Sequence, residues 1–333
     1  MFSNKSHFNK WSSPVTYLLA IICEVVGFGN LINFVPDMYA FGGANYILQY
    51  IIVTIFISIP IIYLELLIGQ SFRKSYVGMW TDMYPCLRGV GYSTLAMNIY
   101  LLSYYCGITA FALHNFIHSL QYPNIWSINA SSVKQNRTIF SSNVEDYEIC
   151  AIGLDPDYFP AFLIVIVLNF AHIYKGTLSI GKSACIYSFY NIAAIFILLA
   201  KTACLKHSIK SLSLLFSARW KNLINLQSWF RALNSSIYST SLGTGIFIVF
   251  GSYAGDNLTS LKLFAYIIGF VDVVISIIFT AIAAFALNLN EIDDSGKIPS
   301  IFYILNCIFD KLPQQIAYMA YVCNLEYDSG ILE

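Results

Sequence analysis

Residues 23–30 read Cys23-Glu24-Val25-Val26-Gly27-Phe28-Gly29-Asn30, and the fold turns on this stretch. It lies within an apolar run over residues 13–37, long enough to cross a bilayer, for which about 20 mostly apolar residues suffice. Two glycines flank Phe28, with an acid before them and an amide after. Glycine weakens a helix and leaves backbone groups free. Inside hydrocarbon, freed N–H and C=O groups are tolerated only where protein or a water-filled cavity satisfies them. The stretch therefore reads as a broken membrane helix. A second break, Ser241-Leu242-Gly243-Thr244-Gly245, interrupts another apolar run at 232–255. Two breaks five spans apart suggest equivalent positions in a repeated architecture. In such folds half-helix N-termini attract anionic groups and unwound carbonyls coordinate cations. Close helix packing through small residues is the alternative reading of either break alone.

The whole chain has a membrane composition. Of its 333 residues 57% are hydrophobic and 11% charged, with a mean hydropathy of +0.64; soluble domains carry about 25% charged residues. Eighteen basic and eighteen acidic residues leave no net charge to neutralise phosphates, which excludes nucleic acid as a partner. Apolar density excludes disorder, and heptads are absent. Eight helices are predicted, at 13–37, 46–69, 91–120, 159–174, 183–205, 232–255, 263–289 and 315–333, giving an all-α polytopic protein embedded in membrane lipid. The first run has polar residues in its middle and no small-residue cleavage site, so it reads as a span and not a signal peptide.

Residues 122–158 form the longest polar loop and carry two glycosylation sequons, at Asn129 and Asn136. Such sites are used only on the lumenal or outer side. This makes the loop extracellular and the N-terminus cytoplasmic, in a multi-pass protein of the plasma membrane. Lys and Arg counts add little, because the loop at 206–231 is basic yet lies outside in this arrangement. The eight cysteines have no metal-ligand spacing, and Cys150 has no partner in the outer loop. No nucleophile–base constellation or phosphate loop is present and the five histidines are scattered, so no enzyme chemistry is expected.

Four acids fall in or at the edge of apolar spans: Glu24, Glu65, Asp272 and Asp328. Intramembrane carboxylates are costly and mark functional interiors. Ser235 and Ser239 are four apart and share a helix face, and Asp272 and Ser276 repeat that spacing on the next helix. Hard oxygens of this kind suit an alkali cation.

At these residues the chain resembles the sodium- and chloride-dependent neurotransmitter and amino-acid symporters. The most specific pieces are Gly27-Phe28-Gly29-Asn30 with Phe34, Tyr39 and Gly42-Gly43, then Pro60-Ile-Ile-Tyr-Leu-Glu65-Leu-Leu-Ile-Gly69-Gln70. Trp11, Gly89-Val-Gly91-Tyr92, Ser103-Tyr104-Tyr105, Lys175-Gly176 with Gly181-Lys182, and Trp229 leading to Ser252-Tyr253 extend the match along nearly the whole chain. The resemblance implies an inverted-repeat fold with discontinuous helices 1 and 6, a first five-helix repeat over 13–205 and an incomplete second repeat over 232–333, together one transporter domain (1–333). It implies sodium-coupled uptake of a small molecule.

Carried over by position, a first sodium site would use Val25, Asn30, Ser239 and Asp272. A second would use Cys23, Val26, Leu325, Asp328 and Ser329. Substrate would lie among Gly27, Phe28, Gly29, Tyr105, Tyr238 and Ser241. Chloride would match Tyr50, Ser235, Ser239 and Ser276, and Glu65 would tie helix 2 to the unwound part of helix 1. Amine transporters of this family place an aspartate at the Gly27 position, so glycine there implies an amino acid or related zwitterion.

The departures are specific. The outer-gate arginine is Asn33, and Phe8 replaces the cytoplasmic-gate arginine, with Lys10 nearby. Ser235 replaces a glutamine, and Asp272 replaces a neutral asparagine. The extra carboxylate implies that Asp272 supplies the negative charge chloride otherwise provides. The sequence ends within helix 8, and the family's helices 9 and 10 do not follow. The expectation from length is that this chain does not complete a transport cycle alone. The second reading is accordingly a short, non-transporting member that associates with full-length homologues.

Overall fold

Ser13 opens the first helix: its hydroxyl accepts the Val15 N–H at 3.2 Å, and Pro14 follows in the first turn, where a missing N–H costs nothing. The coordinates come from a computed structural model and describe residues 13–27, 29–119, 159–174, 176–204, 220–254 and 260–286. Phe28, the outer loop with Asn129 and Asn136, and the predicted eighth helix with Leu325, Asp328 and Ser329 lie outside the described residues.

Helix α1 (Pro14–Val25) stops at Val26, and helical bonding resumes in a wide, π-type turn at Asn30–Phe34 that continues as α2 (Val35–Phe41). The second span is α3 (Ala44–Val53), a π-type turn at Thr54–Ser58, and α4 (Ile59–Phe72). Pro60 explains that wide turn, because it has no N–H to give the Phe56 carbonyl one turn back. The turn aims Thr54 and Ser58 together at the Ser236 hydroxyl, at 3.2 and 2.7 Å.

Next come α5 (Tyr76–Met83), α6 (Arg88–Ser119), α7 (Phe159–Ile173) and α8 (Thr177–Ala203). The sixth span is α9 (Leu226–Ser239) and α10 (Ile246–Ser252), and the seventh is α11 (Leu261–Ala286). Every regular element among the described residues is helical. Ala44–Phe72 and Leu261–Phe285 are long and apolar enough to cross a membrane, with mean hydropathies of 2.6 and 2.5.

Boundaries differ from the sequence reading where capping outweighs hydropathy. Helix α9 starts at 226, not 232, because Asn225 accepts the Gln227 N–H at 3.0 Å and so opens a polar first turn. Helix α5 was not expected; Ser75 accepts the Gly78 N–H at 3.4 Å and starts it.

The core sits where the broken spans meet the second and seventh. Tyr17, Ile21 and Val25 of α1 pack with Ile62 and Leu66 of α4, Phe247 and Phe250 of α10, and Ile268 of α11. A second cluster joins Phe34, Met38, Tyr46, Tyr50 and Ala232. Helix α8 is tied to α1 by the Ser188 hydroxyl donating to the Leu19 carbonyl at 3.0 Å. Large apolar side chains also point away from the protein on several helices: Phe56, Phe170, Phe189 and Phe270 are 65–74% exposed. Such a girdle fits lipid contact better than water.

Candidate functional site

Four helices converge on one buried polar cluster. Asn30 enters it just past the first break and is fully buried. Its Nδ2 donates to Asp272 Oδ1 at 3.1 Å, to the Ser276 hydroxyl at 3.1 Å and toward the Asp272 carbonyl at 3.3 Å. The Tyr50 hydroxyl on α3 donates to Asp272 Oδ2 at 2.7 Å and lies 2.8 Å from the Ser239 hydroxyl on α9. Tyr50 has a single proton, so a bond between the two hydroxyls requires Ser239 to donate. Asp272 and Ser276 are one turn apart on α11, as their spacing predicted, and both are fully buried.

Both oxygens of Asp272 are thus engaged, but Asn30 Oδ1 is buried without a hydrogen-bond partner. The amide nitrogen faces the carboxylate and its oxygen is left to serve a ligand that accepts nothing. A cation meets that requirement. An alkali ion held by Asn30, Ser239 and Asp272, with the Val25 carbonyl at the end of α1, fits this donor set.

The residues assigned to two separate ion sites therefore share one network: Asn30, Asp272 and Ser239 of the first sodium set meet Tyr50 and Ser276 of the chloride set. Ser235 is engaged elsewhere. Its hydroxyl donates to Asp37 Oδ2 at 3.1 Å and receives the Tyr46 hydroxyl at 3.1 Å. A carboxylate is the stronger acceptor, and Asp37 holds Ser235 away from the Asn30–Asp272 network. Arg231 reaches Asp37 at 3.9 Å, so this cluster ties the half-helices α2 and α9. Sequence reasoning missed it, although Asp37 and Arg231 stand out as charges flanking two apolar runs.

The second break is strained by design of its residues. Ser241, Gly243 and Gly245 have φ of 51°, 80° and 82°, in the left-handed region that glycine alone enters without cost. The Gly243 N–H donates to Glu65 Oε1 at 3.0 Å. Glu65 was expected to hold the unwound part of helix 1. Among the described residues its bond goes to the helix 6 break, because that turn presents an N–H with no helical acceptor.

Of the substrate set, Gly27 and Gly29 are buried, and a Cβ on Gly29 would come within 3.1 Å of Ser239 Cα and Tyr238 Cδ1. The two broken spans touch there. The Tyr105 hydroxyl on α6 donates to the Tyr238 hydroxyl at 3.2 Å, across the same space. Of the second sodium set, Cys23 and Val26 are buried at the end of α1, where a helix leaves its last carbonyls without intrahelical donors.

Residues 8–152 and 153–289 match the Sodium:neurotransmitter symporter family profile. The sodium- and chloride-dependent transporter XTRP3 of Rattus norvegicus is 27% identical over 261 residues, 73% of this chain and 42% of that protein. The sodium-dependent neutral amino acid transporter B(0)AT1 of Mus musculus is 28% identical over 267 residues, 73% of this chain and 41% of the relative. The chain thus spans less than half the length of these curated relatives, which are named as transporters and not as enzymes. Among solved structures, MhsT in complex with L-phenylalanine superposes with a TM-score of 0.81 at 21% identity, over 97% of this chain and 72% of that one. Profile, relatives and fold lead to one assignment: the chain belongs to the sodium:neurotransmitter symporter family.

Proposed function

We propose that the chain carries the ion- and substrate-binding core of a sodium-coupled symporter for an amino acid or related zwitterion, in the plasma membrane with its N-terminus cytoplasmic. The observation that carries this is Asn30, whose Nδ2 is committed to Asp272 and Ser276 while its Oδ1 stays buried and unsatisfied. Sodium at that oxygen supplies positive charge beside the substrate's carboxylate and links the first break to helices 6 and 7. A B(0)AT1 relative named for neutral amino acids and the glycine at position 27 support the substrate class. No acid stands at that position to pair an amine, and the space favours a carboxylate.

The residues act by holding and excluding. Tyr105 lends its hydroxyl to Tyr238 across the space between α6 and α9. In the loaded protein it turns to the substrate carboxylate, and the rings of Tyr105 and Tyr238 shut water out from the outer side. The second sodium would bind the carbonyls of Cys23 and Val26, completed by Leu325, Asp328 and Ser329. Chloride is dispensable in this reading, because the Asp272 carboxylate provides the negative charge and Ser235 is engaged by Asp37.

Tyr105→Phe removes one hydroxyl and keeps the ring. The expected result is a 10- to 100-fold weaker sodium-dependent binding of labelled leucine with no change in thermal unfolding, since a hydrogen bond to a charged group contributes about 1.5–3 kcal/mol. Unaltered leucine affinity would remove Tyr105 from the substrate site.

A further inference from the structure

Three unsatisfied acceptors lie at the second break, outside the Asn30–Asp272 cluster. Glu24, near the end of α1, is 5% exposed; the Ser241 hydroxyl is its hydrogen-bonding neighbour, and its Oε2 has no partner. Glu65, on α4, is 9% exposed and gives Oε1 to the Gly243 N–H, leaving Oε2 without a partner. Asn98, on α6, is 6% exposed and donates Nδ2 to the Thr244 carbonyl at 2.9 Å. That bond fixes the orientation of the amide, and its Oδ1 is left buried and unsatisfied.

Three helices therefore each bring to the five-residue strip 241–245 a buried side chain with one oxygen left without a partner. The same apolar cluster, with Ile21, Val25, Ile62, Leu66 and Leu242, walls in both carboxylates' helices and this strip. Among the described residues the ion pairs are Lys74–Asp82 and Arg231–Asp37, and neither carboxylate takes part in them. A buried carboxylate without a counter-charge is strongly disfavoured, and unpaired buried acceptors match a ligand that brings donors or positive charge.

We propose that Glu24, Glu65 and Asn98 form a cation site at the second break, separate from the Asn30–Asp272 cluster. It takes a monovalent, oxygen-liganded cation, and it rests on the transport reading above. The cation has two sources. One is the side-chain ammonium of a basic amino-acid substrate, whose three N–H donors match three acceptors. Asn98 lies seven residues before Tyr105 on one helix, about 10 Å along its axis. That separation suits a long basic side chain whose carboxylate is held at Tyr105. The other source is an alkali ion, for which carboxylate and amide oxygens are the fitting ligands.

The test uses the full chain purified in detergent, with Glu24→Gln and Asn98→Leu as separate variants. Equilibrium binding of labelled lysine and of norleucine, which has the same side chain without the ammonium, is measured in sodium. Bound ²²Na⁺ per chain is counted with no amino acid present. A lysine-to-norleucine affinity ratio that falls at least tenfold in both variants assigns the site to a substrate ammonium. An unchanged ratio with one fewer sodium per chain assigns it to an alkali ion. If both readouts match wild type, the carboxyls are neutral fillers and the inference is overturned. Asn98→Leu keeps both carboxyls, so the result survives if Glu24→Gln does not fold. Wild-type protein that binds neither amino acid in sodium defeats the transport reading instead, and the sodium count still decides this one.

Discussion

Asp272→Asn is expected to weaken sodium binding by about a hundredfold and to make whatever ligand binding remains depend on chloride. The first effect follows from the cluster. Asp272 accepts the Tyr50 hydroxyl at 2.7 Å and the Asn30 amide at 3.1 Å, in a site with no water-exposed face. Hydrogen bonds to a charged acceptor contribute about 1.5–3 kcal/mol each, and a hundredfold change corresponds to about 2.7 kcal/mol. The second effect follows from charge. With a neutral side chain the cluster has lost its fixed anion, and a mobile one must replace it at Tyr50, Ser239 and Ser276. In the wild type, replacing chloride by gluconate should leave binding unchanged. A wild-type protein that loses binding in gluconate would refute the role given to Asp272.

Gly251→Val should be strongly destabilising. Helices α4 and α10 meet backbone to backbone: a Cβ on Gly251 would overlap the Leu66 carbonyl, and a Cβ on Gly69 would overlap the Ile248 carbonyl, with Gly251 Cα at 3.0 Å. Side-chain movement cannot relieve a clash with backbone, so the helices must separate. Overpacking a core costs about 1–3 kcal/mol where side chains yield, and more here. Separation also pulls Glu65 from Gly243 and opens the second break. The expected readout is a detergent-purified protein that unfolds at a temperature lower by 10 °C or more, or that elutes as aggregate. Gly69→Val should do the same, and Gly89→Val, with open space around its Cβ, should not. Equal stability of all three would mean that α4 and α10 do not meet this closely.

Much of this was legible in the sequence because a membrane removes alternatives. Water cannot satisfy a broken backbone in hydrocarbon, so Gly27–Asn30 and Ser241–Gly245 had to be structured interruptions. Asp272 and Ser276 had to share a face from their spacing alone. The bond from Gly243 to Glu65 was not legible, because sequence alone does not show which turn packs against helix 2. Nor was the cluster around Asp37: Ser235 was read toward Ser239 along its helix, whereas Asp37, 198 positions away in sequence, bonds it. Helix starts at 226 and 76 were hidden because capping by Asn225 and Ser75 makes helix from residues that hydropathy assigns to loops.

The central claim is that sodium couples to amino-acid binding at this chain's broken helices. Equilibrium binding of labelled leucine to the purified chain in detergent, in sodium and with choline in its place, tests it most directly. The account predicts leucine binding that rises with sodium and is lost in choline. Equal leucine binding in sodium and choline, by protein that is folded, would contradict it.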